Sequence, residues 1–172
     1  MGYSREDLLN FFNVNNILFK EYEHEALFTV EQSKEMRGKI QGYHTKNLFL
    51  KDKKKKYFLL SCAEDKVIDL KRLRAPLNTN NLSFASGDRL KEILGLIPGS
   101  VTPFGLINDT KKQTKFYLDL DLSKSDSINF HPLINNYTIN MDLNNFYNFI
   151  KTINVELQII DLKVYKLINY GK

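Results

Sequence analysis

Four polar residues in a row, His44-Thr45-Lys46-Asn47, stand directly before the apolar run Leu48-Phe49-Leu50. An imidazole, a cation and an amide at the mouth of a buried strand are costly to desolvate unless partnered. The group therefore has the makings of a binding or catalytic site. The plain alternative is a solvated strand end. Two further histidines, His24 and His131, allow in principle a three-histidine metal site with a fourth position open to water. Their spacing is not that of ligands on one helix, and no acidic supporting shell is evident. Hydrogen-bonded or surface imidazoles are the simpler expectation, and no metal or other cofactor is expected. His131 lies between Phe130 and Pro132, a rigid, half-apolar setting where an imidazole usually has a specific partner.

A second candidate is the loop Gly99-Ser100-Val101-Thr102-Pro103. Glycine lets a ligand approach the backbone, and proline stiffens the exit. The N–H groups of Ser100, Val101 and Thr102 are placed to cradle a carbonyl oxygen. An ordinary tight turn is the competing reading. Cys62, the one cysteine, follows Leu59 and Leu60 and precedes Ala63. It reads as a buried strand thiol, not a nucleophile, and it excludes an internal disulfide and any multi-cysteine zinc site. The chain has no phosphate-binding P-loop, dinucleotide fingerprint or serine nucleophile elbow.

These residues need elements to hold them. Residues 42–60 read as a hairpin, with the charged, turn-like segment Lys51-Asp-Lys53-Lys54-Lys55-Lys56 between two apolar runs. Ser4 with Asp7 is a capping signal for a short first helix. Residues 17–22 alternate as a strand. Thr29 with Gln32 opens a second helix to about Gly38. Residues 67–73 read as a third helix, with Lys71, Arg72 and Arg74 at its end. After a loop at 76–81, residues 82–85 are a short strand. Ser86 caps a helix that Gly95 closes. Residues 104–107 and 115–120 are expected to pair as a second hairpin. Further strands are expected near 129–132, 137–140 and 156–162, with a helix from Asp142 to Ile150. The last ten residues lack a pattern. Helices mixed with antiparallel-looking hairpins place the chain in the α+β class.

Length and charge bound the answer. A chain of 172 residues with 42% hydrophobic residues suits one globular domain. Lys and Arg exceed Asp and Glu by 25 to 20, for a net charge of +5 and a pI near 9.1. That mild excess permits a polyanionic partner without demanding one. No apolar run approaches the ~20 residues needed to span a bilayer, and the polar first residues do not resemble a signal peptide. A soluble, cytoplasmic protein with no membrane partner is expected.

Three separated motifs then come into register. His44-Thr-Lys-Asn-Leu-Phe-Leu-Lys-Asp-Lys-Lys, Gly99-Ser-Val-Thr-Pro-Phe-Gly-Leu-Ile-Asn-Asp and Asn129-Phe-His-Pro-Leu-Ile-Asn together resemble the YbaK/prolyl-tRNA-synthetase editing-domain family. Within it the chain is most similar to the freestanding, alanine-specific prolyl-tRNA editing proteins. The similarity runs from about Ser4 to Leu162, with Phe28-Thr29-Val30-Glu31 also in place. It departs at Glu25, where many members carry proline.

The resemblance implies a single YbaK-like domain over 1–172, with a core of about 4–162 and a mixed, mostly antiparallel, curved sheet flanked by helices. It implies a trans-editing deacylase that hydrolyses alanine mischarged onto proline tRNA. Mischarged tRNA is then the partner, with prolyl-tRNA synthetase as a second. Lys46, Asn47 and His131 are the implied catalytic set: Lys46 at the pocket centre, Asn47 orienting substrate, and His131 lining the aminoacyl pocket, with a general-base role left open. Phe28, Thr29, His44 and Gly99, Ser100, Val101, Thr102 and Pro103 would bind substrate. Lys51, Lys53, Lys54, Lys55 and Lys56, with Arg37 and Lys39 nearby, would meet acceptor-stem phosphates. Water, aided by the tRNA's own ribose hydroxyl, would attack without metal or covalent intermediate. The rivals are a Cys-tRNA(Pro) deacylase and a non-catalytic tRNA-binding or regulatory module.

Overall fold

The computed structural model describes residues 2–26 and 40–168. The expected helix at 29–38, with Phe28 and Thr29, lies outside them. The chain starts with α1 (Arg5–Val14), whose N-terminus is closed reciprocally. The Asp7 N–H donates to the Ser4 hydroxyl at 3.1 Å, and the Ser4 N–H donates to the Asp7 carboxylate at 2.9 Å. Leu8 and Phe12 form its buried face. Strand β1 (Lys20–Glu23) follows, then the hairpin of β2 (Tyr43–Lys51) and β3 (Tyr57–Ala63).

The hairpin is the centre of the sheet. Its register sets Lys46 opposite Cys62, Leu48 opposite Leu60 and Leu50 opposite Phe58. Every residue of β3 is buried, because it has strands on both sides and apolar layers on both faces. Leu59 and Ala63 join the larger core cluster, whereas Phe58, Leu60 and Cys62 join the smaller. Alternation across the strand makes that division.

After β3 come α2 (Leu70–Leu73), β4 (Ser83–Phe84) and α3 (Gly87–Leu94), then a 3-10 turn (Pro103–Ile107). The rest is β5 (Thr114–Asp119), β6 (Ser127–Phe130), β7 (Tyr137–Asp142), α4 (Leu143–Thr152), β8 (Leu157–Asp161) and β9 (Lys166–Ile168). The spatial order is β1-β7-β6-β2-β3-β5-β8-β9, with β4 beside β2. Pairings β2–β6, β3–β5 and β5–β8 are parallel. Pairings β1–β7, β2–β3, β2–β4, β6–β7 and β8–β9 are antiparallel. The class is mixed α and β, with helices flanking a curved sheet. One face carries α1, α3, the 3-10 turn and α4 through Phe12, Ile93, Phe104 and Phe149. The other is closed by Leu73, Leu77 and Leu82. Phe104 lies 5.2 Å ring to ring from both Phe12 and Phe149, a close aromatic cluster beneath the loop that precedes it.

Several sequence expectations change. Residues 104–107 are not a strand but part of the 3-10 turn. Thr102 caps it, its hydroxyl accepting the Phe104 N–H at 3.3 Å, and Pro103 supplies a preset first position. The second hairpin therefore does not form, and β5 inserts in parallel between β3 and β8. Helix α2 starts at Leu70, not 67, because the Asp69 carboxylate accepts the N–H groups of Lys71 and Arg72. The C-terminal end, patternless in sequence, contains β9 paired with β8.

Candidate functional site

Strand β2 splits its polar residues between two faces. The Asn47 amide donates to the Val101 carbonyl at 3.0 Å and accepts from the Ser61 hydroxyl at 2.5 Å. The Thr45 hydroxyl donates to the Asn129 carbonyl at 2.7 Å. These contacts tie the hairpin to the Gly99–Pro103 loop and to β6. Lys46, one position over, belongs to the opposite face with Leu48, Leu50 and its cross-strand partner Cys62. Its ammonium donates to the Lys66 carbonyl. The structure thus joins Asn47 to the loop and turns Lys46 toward the segment after β3. Burial pushes the Cys62 thiol up to about 12, consistent with an inert core sulfur.

The loop is built before it binds anything. Ile97-Pro98-Gly99-Ser100 is a tight turn closed by the Ser100 N–H to the Ile97 carbonyl at 3.1 Å. Gly99 has φ +89°, which glycine takes without strain. The Ser100 hydroxyl also donates to the Ile97 carbonyl, at 2.9 Å. Ser100 is therefore spent on the turn and Thr102 on the cap. Among the described residues the N–H groups of Val101 and Thr102 have no partner. The expected three-donor cradle narrows to those two.

His131 sits at the exit of β6. Its Nδ1 lies 2.9 Å from the Tyr137 carbonyl. A carbonyl only accepts, so Nδ1 carries the proton and Nε2 of the neutral ring is an acceptor. Burial holds the imidazole below its usual pKa, against the opposing Tyr137 bond, with His24 and His44 adding to the lowering. The His24 and His131 rings are 6.2 Å apart. His24 makes bonds to the Glu25 carbonyl at 2.7 Å and the Thr138 hydroxyl at 2.8 Å, and His44 Nε2 lies 3.3 Å from the Ile40 carbonyl. The three histidines do gather at one end of the sheet. Among the described residues, though, no group of three or more His, Cys, Asp or Glu is arranged to hold a metal ion.

Two features lay beyond sequence reasoning. The first is an ion cluster: Lys66 Nζ lies 2.5 Å from Asp119 and 2.8 Å from Asp121, and Lys163 lies 3.5 Å from Asp121. Asp119 is fully buried. The only available signal was two aspartates, two apart, at the end of an apolar strand. The second is a cleft of about 660 Å³ at the start of β2, lined in part by Gly42, Tyr43, His44, Glu64, Asp126 and Ser127. Of the expected site residues among those described, His44 alone is on its wall. Gly42 has φ +90°, and a Cβ there would come within 2.8 Å of the Ser127 carbonyl oxygen. The exposed Lys53, Lys54, Lys55 and Lys56 lie at the other end of β2, with Lys51 partly buried on the strand.

Comparison with known proteins identifies the family. The aminoacyl-tRNA editing domain family matches residues 24–149. The prolyl-tRNA editing protein ProX of Acetoanaerobium sticklandii is 33% identical over 130 residues, covering 75% of this chain and 79% of that protein. Prolyl-tRNA synthetase associated domain-containing protein 1 of Xenopus laevis is 35% identical over 155 residues, covering 87% and 92%. A crystal structure described as a candidate trans-editing enzyme for prolyl-tRNA synthetase superposes with a TM-score of 0.69 at 15% identity, covering 98% and 99%. That likeness speaks for the fold. The matched family spans Asn47, the Gly99–Pro103 loop and His131 alike, and this chain belongs to the aminoacyl-tRNA editing domain family.

Proposed function

We propose that the protein is a trans-editing deacylase that hydrolyses the ester of alanine mischarged onto proline tRNA, working as one domain over the whole chain in the cytoplasm beside prolyl-tRNA synthetase. The observation that carries the reading is the Asn47–Val101 bond. It ties down the loop that carries the Val101 and Thr102 N–H groups, which have no partner among the described residues and to which this reading assigns the ester carbonyl oxygen. Val101 and Thr102 stabilise the oxyanion as water adds. Neutral His131 presents Nε2 as a proton acceptor at the aminoacyl pocket. Lys46, on the other face of β2 from Asn47 and the loop and held at the Lys66 carbonyl, supplies a cation toward the terminal nucleotide from that side. Asn47 acts by holding the loop more than by touching substrate. Phe28 and Thr29 complete the pocket, and the lysines of the hairpin turn meet the acceptor stem.

The specificity follows from size. A synthetase pocket shaped for proline cannot strongly reject the smaller alanine, because a missing methylene is worth only ~1–3 kcal/mol. A second, smaller site removes what the first admits. The test is release of amino acid from Ala-, Cys- and Pro-charged proline tRNA, measured side by side. Alanine should leave at least ~10-fold faster than proline. Equal rates for alanine and proline would remove the sieve. Faster release of cysteine would reassign the substrate, and no release at all would make the chain a binding module.

A further inference from the structure

Strands β2, β3 and β5 are neighbours, and Lys46, Cys62 and Asp119 lie in line across them. Lys46 pairs in register with Cys62, and Leu118 with Ser61, so Asp119 comes next to Cys62. Lys46 and Asp119 both act electrostatically on the Cys62 thiol. Two strand spacings separate their backbones, about 9–10 Å, which a lysine and an aspartate side chain together can close. Yet they do not pair. Lys46 binds the neutral carbonyl of Lys66, while the ammonium of that same Lys66 occupies Asp119 and Asp121. The segment is anchored by the Lys66 N–H to the Ala63 carbonyl at 3.1 Å and by the Glu64 N–H to the His44 carbonyl at 3.0 Å. It also lines the cleft at the start of β2.

We propose that Lys66 is a positioning residue that keeps the Asp119 and Asp121 carboxylates off Lys46, so that the Lys46 charge stays available to substrate. The inference rests on the reading of Lys46 given above. A fully buried carboxylate without a cation is costly. If Lys66 leaves, Lys163 still stands 3.5 Å from Asp121, but Asp119 loses its cation, and Lys46, in line across Cys62, can turn to it. A Lys46–Asp119 pair would neutralise the charge that the substrate needs.

The test uses Lys66→Met, Lys66→Arg, the double variant Lys66→Met with Asp119→Asn, and Lys46→Met. Each is assayed on Ala-charged proline tRNA. Lys66→Met should lower kcat at least ~10-fold with KM little changed, because the loss falls on the transition state. Lys66→Arg, which still holds both carboxylates, should stay within ~3-fold of wild type. The double variant, with no buried charge at 119 to capture Lys46, should recover most of the lost kcat. It also carries the test if Lys66→Met does not fold. Acetylation of Lys46 by an N-hydroxysuccinimide ester, followed by mass spectrometry, is the second readout: Lys46 should react more slowly in Lys66→Met than in wild type or the double variant. Normal kcat in Lys66→Met beside an inactive Lys46→Met overturns the inference alone. A fully active Lys46→Met removes the role assigned to Lys46. The labelling then decides the pairing by itself, and unchanged reactivity overturns it.

Discussion

Whether His131 can accept a proton depends on which of its nitrogens is occupied. The Nδ1–H donates to the Tyr137 carbonyl, and burial disfavours a second proton on Nε2. The folded pKa is therefore depressed below the ordinary 6.5. The sign follows from linkage. The unfolded chain binds the proton more readily, so this histidine contributes stability that is fully present above the unfolded pKa. That stability is lost as pH falls through the unfolded value toward the depressed folded one. In an NMR titration the His131 imidazole should show a midpoint below 6.5, and the protein should lose stability on acidification across that window. His131→Asn cannot titrate and should flatten that part of the curve. A midpoint at or above 6.5 would show that burial does not hold the ring below its ordinary value, and the acid-side loss of stability would then not come from His131.

The lysine-rich hairpin turn is organised by a residue with the opposite charge. Asp52 is buried, and its carboxylate accepts the N–H groups of Lys54 at 2.8 Å and Lys56 at 2.9 Å and the Thr79 hydroxyl at 3.1 Å. Burial raises its pKa, but the bonds from Lys56, Thr79 and Lys54 outweigh that and hold it below the usual range. Asp52→Ala would strand these donors. At about 2 kcal/mol for the lost network, the melting temperature should fall by about 4–8 °C. A melt unchanged within 1 °C, roughly 0.3 kcal/mol, would mean that water replaces the carboxylate at no cost. Sequence showed this turn only as a run of lysines. Local signals elsewhere were legible: Ser4 with Asp7, Ser86 and Asp142 each cap the helix expected of them. The 104–107 run misled because all of it is buried, and an apolar run without periodicity looks the same in a strand and in a buried helical turn. The opposite facing of Lys46 and Asn47 was implicit in the two-residue period of a strand. Lys66 with Asp119 was not, because only the parallel β3–β5 pairing brings them together.

At the scale of the whole molecule, the lysine turn follows the far end of β2, whose Lys51 lies four residues (about 13 Å) beyond Asn47 and seven (about 23 Å) beyond His44. A substrate that engages both the turn and the polar site must be long and anionic, as a tRNA acceptor arm is. The charge excess of +5 is too small to bind any polyanion indiscriminately. The clustering of the exposed Lys53, Lys54, Lys55 and Lys56 on one turn therefore matters more than the size of the excess. Phosphate contacts release counterions, so affinity falls with salt by a slope of about 0.7 to 0.9 per contact. Replacing Lys54 and Lys55 with glutamine should flatten the plot of log kcat/KM against log salt by about 1.4 to 1.8 if both touch phosphate. KM should rise at low salt while kcat holds, because the turn is remote from the ester and contributes equally to ground and transition states. A fall in kcat with KM unchanged would place these lysines at the chemistry, against the distance along β2. An unchanged slope would make the turn a solvated face, and the acceptor arm would have to be held by the cleft end of the strand alone.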